Sequence, residues 1–188
     1  MINGVEIIAE VKTESPFGYR AEKNWDELFT LAEQVGDMLS IHTDPRWGGS
    51  FELIKKARSM TKKPILAKGI HATDEEVMSA VEAGADFVLV VGRVPKIYLE
   101  KCLVEPTTLA ELKALPKTVK RVVWNSRDLQ TGGLKKETFT EARAIWDGWL
   151  CQASNIRSVA DIEKGADALL IGTHLETFLL DKSESKEV

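Results

Sequence analysis

Short apolar runs rich in β-branched residues recur along this chain, spaced widely enough to leave room for a helix between them. Eight stand out: Val5–Val11, Met38–His42, Pro64–Ala67, Asp86–Val91, Cys102–Val104, Arg121–Trp124, Trp149–Gln152 and Asp167–Ile171. Several are apolar on both alternate sets of positions, as strands are when one face meets an inner core and the other a layer of helices. Between the runs the apolar spacing changes to three and four. Trp25, Leu28, Leu31, Ala32 and Val35 form one helical stripe, closed by Gly36, and Leu109, Leu112 and Leu115 form another. Thr73 with Glu76, and Thr108 with Glu111, have the spacing of a capping box. In that motif the two side chains reciprocally satisfy orphan N–H groups of a first helical turn.

A repeat runs through this pattern. Ala83-Gly84-Ala85-Asp86 before Phe87–Val91 echoes Lys164-Gly165-Ala166-Asp167 before Ala168–Ile171, with a looser copy at Val35-Gly36-Asp37 before Met38–Ile41. Each copy reads as helix, glycine stop and buried strand, and eight such steps close a (β/α)8 barrel. A doubly wound open sheet is the alternative, weakened because no G-x-G-x-x-G follows the first strand. The expected organisation is one barrel domain over residues 1–181 with a disordered polar tail at 182–188. The barrel is compact, since this fold ordinarily needs at least ~200 residues. The stretch Arg93–Lys101 marks the fourth unit as the most trimmed.

Composition narrows the function classes. A net charge of −4 and a pI near 5.5 give no reason to expect nucleic acid or an anionic membrane surface as partner. No apolar run approaches the ~20 residues that cross a bilayer, and no signal pattern opens the chain. Cys102 and Cys151 are far apart and read as buried free thiols in a reducing cytoplasm. His42, His71 and His174 are scattered and suggest no metal site. Trp124, Trp146 and Trp149 read as packing, and Arg20 to Lys23 as a solvated loop or part of a lid.

In such barrels the active site lies at the carboxyl ends of the strands, and those ends are polar here. Glu10 and Lys12 close the first strand, two residues apart and so on one face. Lys68 follows the third strand, Glu105 the fifth, Asn125 and Arg127 the sixth, Ser154 the seventh, and Gly172-Thr173 the eighth. Singly, each is more simply a solvated loop residue. Together, two lysines, two glutamates and an arginine turned inward imply mutual pairing, because unpaired buried charge is costly. Gly172-Thr173 suits a phosphate held by backbone N–H groups, to which Ser15 adds a hydroxyl.

These residues sit in motifs. Ile8-Ala9-Glu10-Val11-Lys12 with Ser15-Pro16 resembles the I-A-E-x-K-x-x-S-P signature of indole-3-glycerol phosphate synthases. Ser40–Asp44 followed by Trp47-Gly48-Gly49-Ser50 is similar to that family's S-V-L-T-D…F-G-G-S. Pro64–Lys68 resembles P-V-L-x-K, Leu103–Glu105 L-V-E, Asn125–Leu129 N-[NS]-R-D-L, and Leu170–Thr173 L-I-G-[ES], in order along nearly the whole chain. The resemblance implies conversion of 1-(2-carboxyphenylamino)-1-deoxyribulose 5-phosphate to indole-3-glycerol phosphate, CO2 and water, without metal or organic cofactor. It makes Lys68 the general acid of ring closure, with Glu105 and Lys12 handling later proton transfers. Glu10 would hold Lys12 through an ion pair. Asn125 and Arg127 orient the substrate, and Leu89 and Ile70 wall its aromatic ring. Ser154 contacts the substrate, and Ser15, the backbone around Ser154, Asn155, Gly172 and Thr173 surround the phosphate.

Three departures from the pattern stand out. The chain is expected to be a short form without the family's N-terminal segment. Ala153-Ser154-Asn155 replaces E-S-G, and Gly69 replaces the usual Asp after the strand-three lysine. The expected protein is a cytoplasmic monomer acting on a phosphorylated small molecule. The rival readings are a barrel that binds phosphorylated ligands without turnover, and another sugar-phosphate enzyme such as phosphoribosylanthranilate isomerase, built around a Cys and an Asp.

Overall fold

The computed structural model describes residues 4–184. Eight parallel strands close into a barrel in sequence order: β1 (Glu6–Val11), β2 (Met38–His42), β3 (Ile65–Lys68), β4 (Phe87–Val91), β5 (Cys102–Glu105), β6 (Arg121–Asn125), β7 (Trp149–Ala153) and β8 (Ala168–Ile171). The ring shuts where Ile8 of β1 registers with Leu170 of β8. Closure rules out the open sheet and leaves no unpaired edge.

The period-two alternation of each strand sorts its apolar residues into two cores. Ile8, Met38, Leu66, Leu89, Leu103, Val123, Cys151 and Ala168 point inward and fill the barrel. Ile7, Ala9, Leu39, Ile41, Val88, Val90, Val122 and Leu150 point outward against the helices. A fully buried side chain of this kind contributes roughly 1.5–3 kcal/mol. Trp124 is wholly buried in the outer layer, with Trp146 packed against it and Trp149 against the inner core, so all three tryptophans pack.

Six α-helices cover the barrel: α1 (Trp25–Val35), α2 (Phe51–Met60), α3 (Asp74–Glu82), α4 (Leu109–Ala114), α5 (Phe139–Ile145) and α6 (Leu175–Glu184). The steps after β4 and β7 carry only short 3-10 turns, Leu99–Lys101 and Val159–Asp161. Two of the eight helices are therefore trimmed away, the fourth as expected and the seventh in addition. Of the tail expected at 182–188, residues 182–184 continue α6 and the rest lies outside the described residues. Among the described residues no helix is long and apolar enough to cross a membrane.

Asn24–Glu27, Thr73–Glu76 and Thr138–Glu141 form full capping boxes. At Thr108 only half forms, because the Glu111 carboxylate turns to the N–H and hydroxyl of Thr107 instead. Gly36 ends α1 in extended rather than left-handed backbone; a Cβ there would press on Ala9 and the Met38 carbonyl. Size, not conformational freedom, requires glycine at that position.

The repeat has a physical purpose at the amino-terminal rim. Asp37, Asp86 and Asp167 each stand just before a strand and grip the preceding one. Their carboxylates accept from the N–H of Ile7 at 3.0 Å, Ile65 at 2.9 Å and Leu150 at 2.8 Å. Their own N–H groups donate to the carbonyls of those same residues. Arg58 and Arg143 then pair with Asp86 and Asp167.

Candidate active site

At the opposite rim the alternation that buries Ile8, Leu66, Leu103 and Val123 inward carries the next inward position into polar territory. Lys68, Glu105 and Asn125 are the last residues of their strands rather than the first of the loops. Their backbones are therefore fixed by the sheet. His42 and Lys68 are register partners across β2 and β3, and Asn125 and Ala153 across β6 and β7.

One cavity opens over this layer, and all the site residues expected from sequence border it: Glu10, Lys12, Ser15, Lys68, Ile70, Leu89, Glu105, Asn125, Arg127, Ser154, Asn155, Gly172 and Thr173. Glu10, only 6% exposed, is the electrostatic centre. Its Oε1 accepts from Lys68 Nζ at 2.5 Å and from His42 Nε2 at 2.7 Å, while Lys12 Nζ lies 3.5 Å from Oε2. The Glu10–Lys12 ion pair expected from the motif is present, and Glu10 also holds Lys68, more closely. Burial opposes a charge here, but Lys12, Lys68 and His42 overcome it and hold the Glu10 carboxyl well below the usual carboxylate range. A Cβ on Gly172 would overlap the Glu10 carboxylate, so the glycine is what lets the β8 end approach it.

Across the cavity, Glu105 is 2% exposed, and burial pushes its carboxyl up, partly offset by Lys68 and by a hydrogen bond from Asn125. A directed chain holds it: Ser154 Oγ donates to Asn125 Oδ1 at 2.7 Å, and Asn125 Nδ2 donates to Glu105 Oε1 at 3.0 Å. The Ser154 hydroxyl is therefore engaged in orienting Asn125. Burial lowers the Lys12 ammonium, Glu10 opposes, and Lys68 and Arg127 add to the lowering.

Ser154 and Asn155 both sit in left-handed backbone, at φ 69° and 58°. Asparagine tolerates this region better than most residues, so Asn155 keeps the turn where the motif has glycine. Ala153, 1% exposed, faces the barrel interior in place of the motif's glutamate. Among the described residues, Lys12, Lys68 and Arg127 then face two carboxylates around the cavity, Glu10 and Glu105. Arg127 Nη1 is tied to the Gly132 carbonyl at 2.5 Å, inside the β6–α5 loop.

Phe17, Tyr19, Trp47, His42 and His174 also border the cavity and were not among the site residues expected from sequence. Lys12 lies 5.0 Å from the Tyr19 ring centre, and Phe17 meets Trp47 edge-on. Of the Arg20–Lys23 loop, Arg20 is exposed beside Glu14, whereas Lys23 reaches Glu176 of α6 at 2.6 Å.

The family model for indole-3-glycerol phosphate synthase matches residues 2–179. Relatives described as indole-3-glycerol phosphate synthases include one from Aquifex aeolicus, 35% identical, with 92% of this chain and 76% of that protein covered. Another from Pyrococcus abyssi is 33% identical, covering 90% and 84%, and one from Sulfurisphaera tokodaii is 29% identical, covering 97% and 81%. The match spans every strand that contributes to the cavity, and the chain belongs to the indole-3-glycerol phosphate synthase family.

Proposed function

We propose that the cavity closes the indole ring of 1-(2-carboxyphenylamino)-1-deoxyribulose 5-phosphate, releasing CO2 and water to give indole-3-glycerol phosphate. The observation that carries this reading is a pair of buried carboxylates pushed in opposite directions on either side of Lys68: Glu10 kept ionised by cations, Glu105 favoured in its protonated form by burial. Titratable groups set apart in this way divide acid and base roles within one site. Lys68 donates a proton to the substrate carbonyl as the ring carbon attacks it, and the carboxylate leaves as CO2. Glu105, oriented by Asn125, serves the proton transfers of the dehydration with Lys12. Leu89 and Ile70 wall the aromatic ring. Ser15, Asn155, Gly172 and Thr173 take the phosphate, while Lys12, Lys68 and Arg127, with two carboxylates against them, suit a substrate anionic at both ends.

The isomerase reading lacks its sulfur. Cys102 and Cys151 are buried, neither borders the cavity, and burial pushes both thiols up. The test is turnover of the synthase substrate followed by indole fluorescence, in wild type and Lys68→Ala. A positioned proton donor contributes typically ~10²–10⁴-fold, so the variant should lose at least that much with an unchanged circular dichroism spectrum. Activity of Lys68→Ala near wild type would overturn the assignment. Binding of the product without any wild-type turnover would favour a ligand-binding barrel.

A further inference from the structure

His42 ends β2 where the S-V-L-T-D pattern has leucine, and Trp47 stands where the pattern has phenylalanine. Leucine cannot donate a hydrogen bond, so Glu10 has a partner here that the pattern does not supply. The His42 ring is 4% exposed and lies flat against Trp47, with planes 3° apart and centres 5.9 Å apart. Its Nε2 is 2.7 Å from Glu10 Oε1, the same oxygen that Lys68 Nζ approaches at 2.5 Å. A carboxylate can only accept, so Nε2 carries the hydrogen. The other nitrogen, Nδ1, is buried with no hydrogen-bond partner. The charged groups facing the ring are Glu10 from β1, Lys12 just after it, Lys68 from β3, and Asp44 from the turn after β2, itself paired with Arg46. Burial disfavours the imidazolium, and although Glu10 opposes this, the two lysines add to it.

We propose that His42 is a positioning residue which, as the Nε2–H tautomer, shares Glu10 Oε1 with Lys68 and loosens the Lys68–Glu10 ion pair enough for Lys68 to release its proton to substrate. One oxygen divided between two donors holds each less firmly than it would hold one. With leucine at this position, the oxygen belongs wholly to Lys68. The inference rests on reading Lys68 as the proton donor, and it deepens that reading by naming what sets the donor's readiness.

The variants are His42→Leu, which matches the motif in size and polarity, and His42→Gln, which keeps an N–H donor. The first readout needs no turnover: competitive acylation of Lys68 across pH, quantified by mass spectrometry in each protein. His42→Leu should leave Lys68 about tenfold less reactive, the scale of one hydrogen bond to a charged group. His42→Gln should stay near wild type. In the turnover assay His42→Leu should lower kcat about tenfold with KM within about twofold, the pattern of a group acting on the chemical step rather than on binding. The basic limb of its pH profile should move upward. Unchanged Lys68 reactivity in His42→Leu overturns the proposal, as does equal loss in both variants, which would make His42 mere packing against Trp47. A wild type with no turnover but with the predicted labelling difference would count against the proposed function alone.

Discussion

Replacing Glu10 with glutamine keeps shape and removes one charge, which makes it a direct probe of what organises the site. The carboxylate is 6% exposed and lies 2.5 Å from Lys68 and 3.5 Å from Lys12. At an effective dielectric of about 20, such separations correspond to roughly 5–7 kcal/mol of gross attraction per lysine. Most of that is offset by taking the carboxylate out of water. The net effect of removing one partner from a buried cluster is ~3–5 kcal/mol, because the remaining charges are left uncompensated. Glu10→Gln should therefore unfold in urea with about that much less stability near pH 7, a large part of a typical domain's total of ~5–15 kcal/mol. The sign of its pH dependence follows from the lowered carboxyl. Glu10 contributes fully above the unfolded value of ~4.3, and the contribution drains away as pH falls through the lower folded value. The gap between wild type and Glu10→Gln should accordingly narrow on acidification below that range. Glu105→Gln should behave oppositely. Its folded carboxyl is raised, so ionisation penalises the fold as pH rises, and the variant should gain on wild type with rising pH while losing activity. A Glu10→Gln deficit under about 1 kcal/mol, or one that does not change with pH, would refute the electrostatic account of the cluster.

Substitutions at two further positions test the geometry of the rim. Gly172→Ala would drive a methyl group into the Glu10 carboxylate and should cost about 1–3 kcal/mol of stability along with most of the turnover, both lost together in a thermal melt and an activity assay; a variant with normal melting would show that β8 does not approach so closely. Asn155→Val places a β-branched residue at φ 58° and should lose about 1–2 kcal/mol, whereas Asn155→Gly should be nearly neutral and bind inorganic phosphate more tightly; weaker phosphate inhibition in Asn155→Gly would remove this turn from the phosphate site.

Much of this could be read from residue order alone because a charged side chain at the end of an apolar strand is conspicuous. Glu10, Lys68 and Glu105 announced themselves in this way, and the barrel register then brought them together. His42 did not, since a lone histidine after Met-Leu-Ser-Ile looks like ordinary half-buried polarity and its partner Glu10 is 32 residues away. The available signal was parity: in a closed parallel barrel, His42 shares the inward face of Glu10 and Lys68 and is the register partner of Lys68. The choice of Lys68 over Lys12 as the near partner of Glu10 depends on side-chain reach across strands, which no motif encodes. The half-formed box at Thr108 failed for a local reason, the competing Thr107 hydroxyl. The loss of the seventh helix was hidden because Ser158–Asp161 carries a plausible helix start that goes no further than a single 3-10 turn.

The aspartate grips at Asp37, Asp86 and Asp167 sit at the rim farthest from the chemistry. A barrel fastened at its floor leaves its mouth free to drift. Substitutions such as the motif's glutamate to Ala153, or leucine to His42, can accumulate at the upper strand ends without touching the fasteners below. Such separation gives a small chain room to explore new substrates while its scaffold stays put, and it marks the floor as the place to reinforce before the mouth is redesigned.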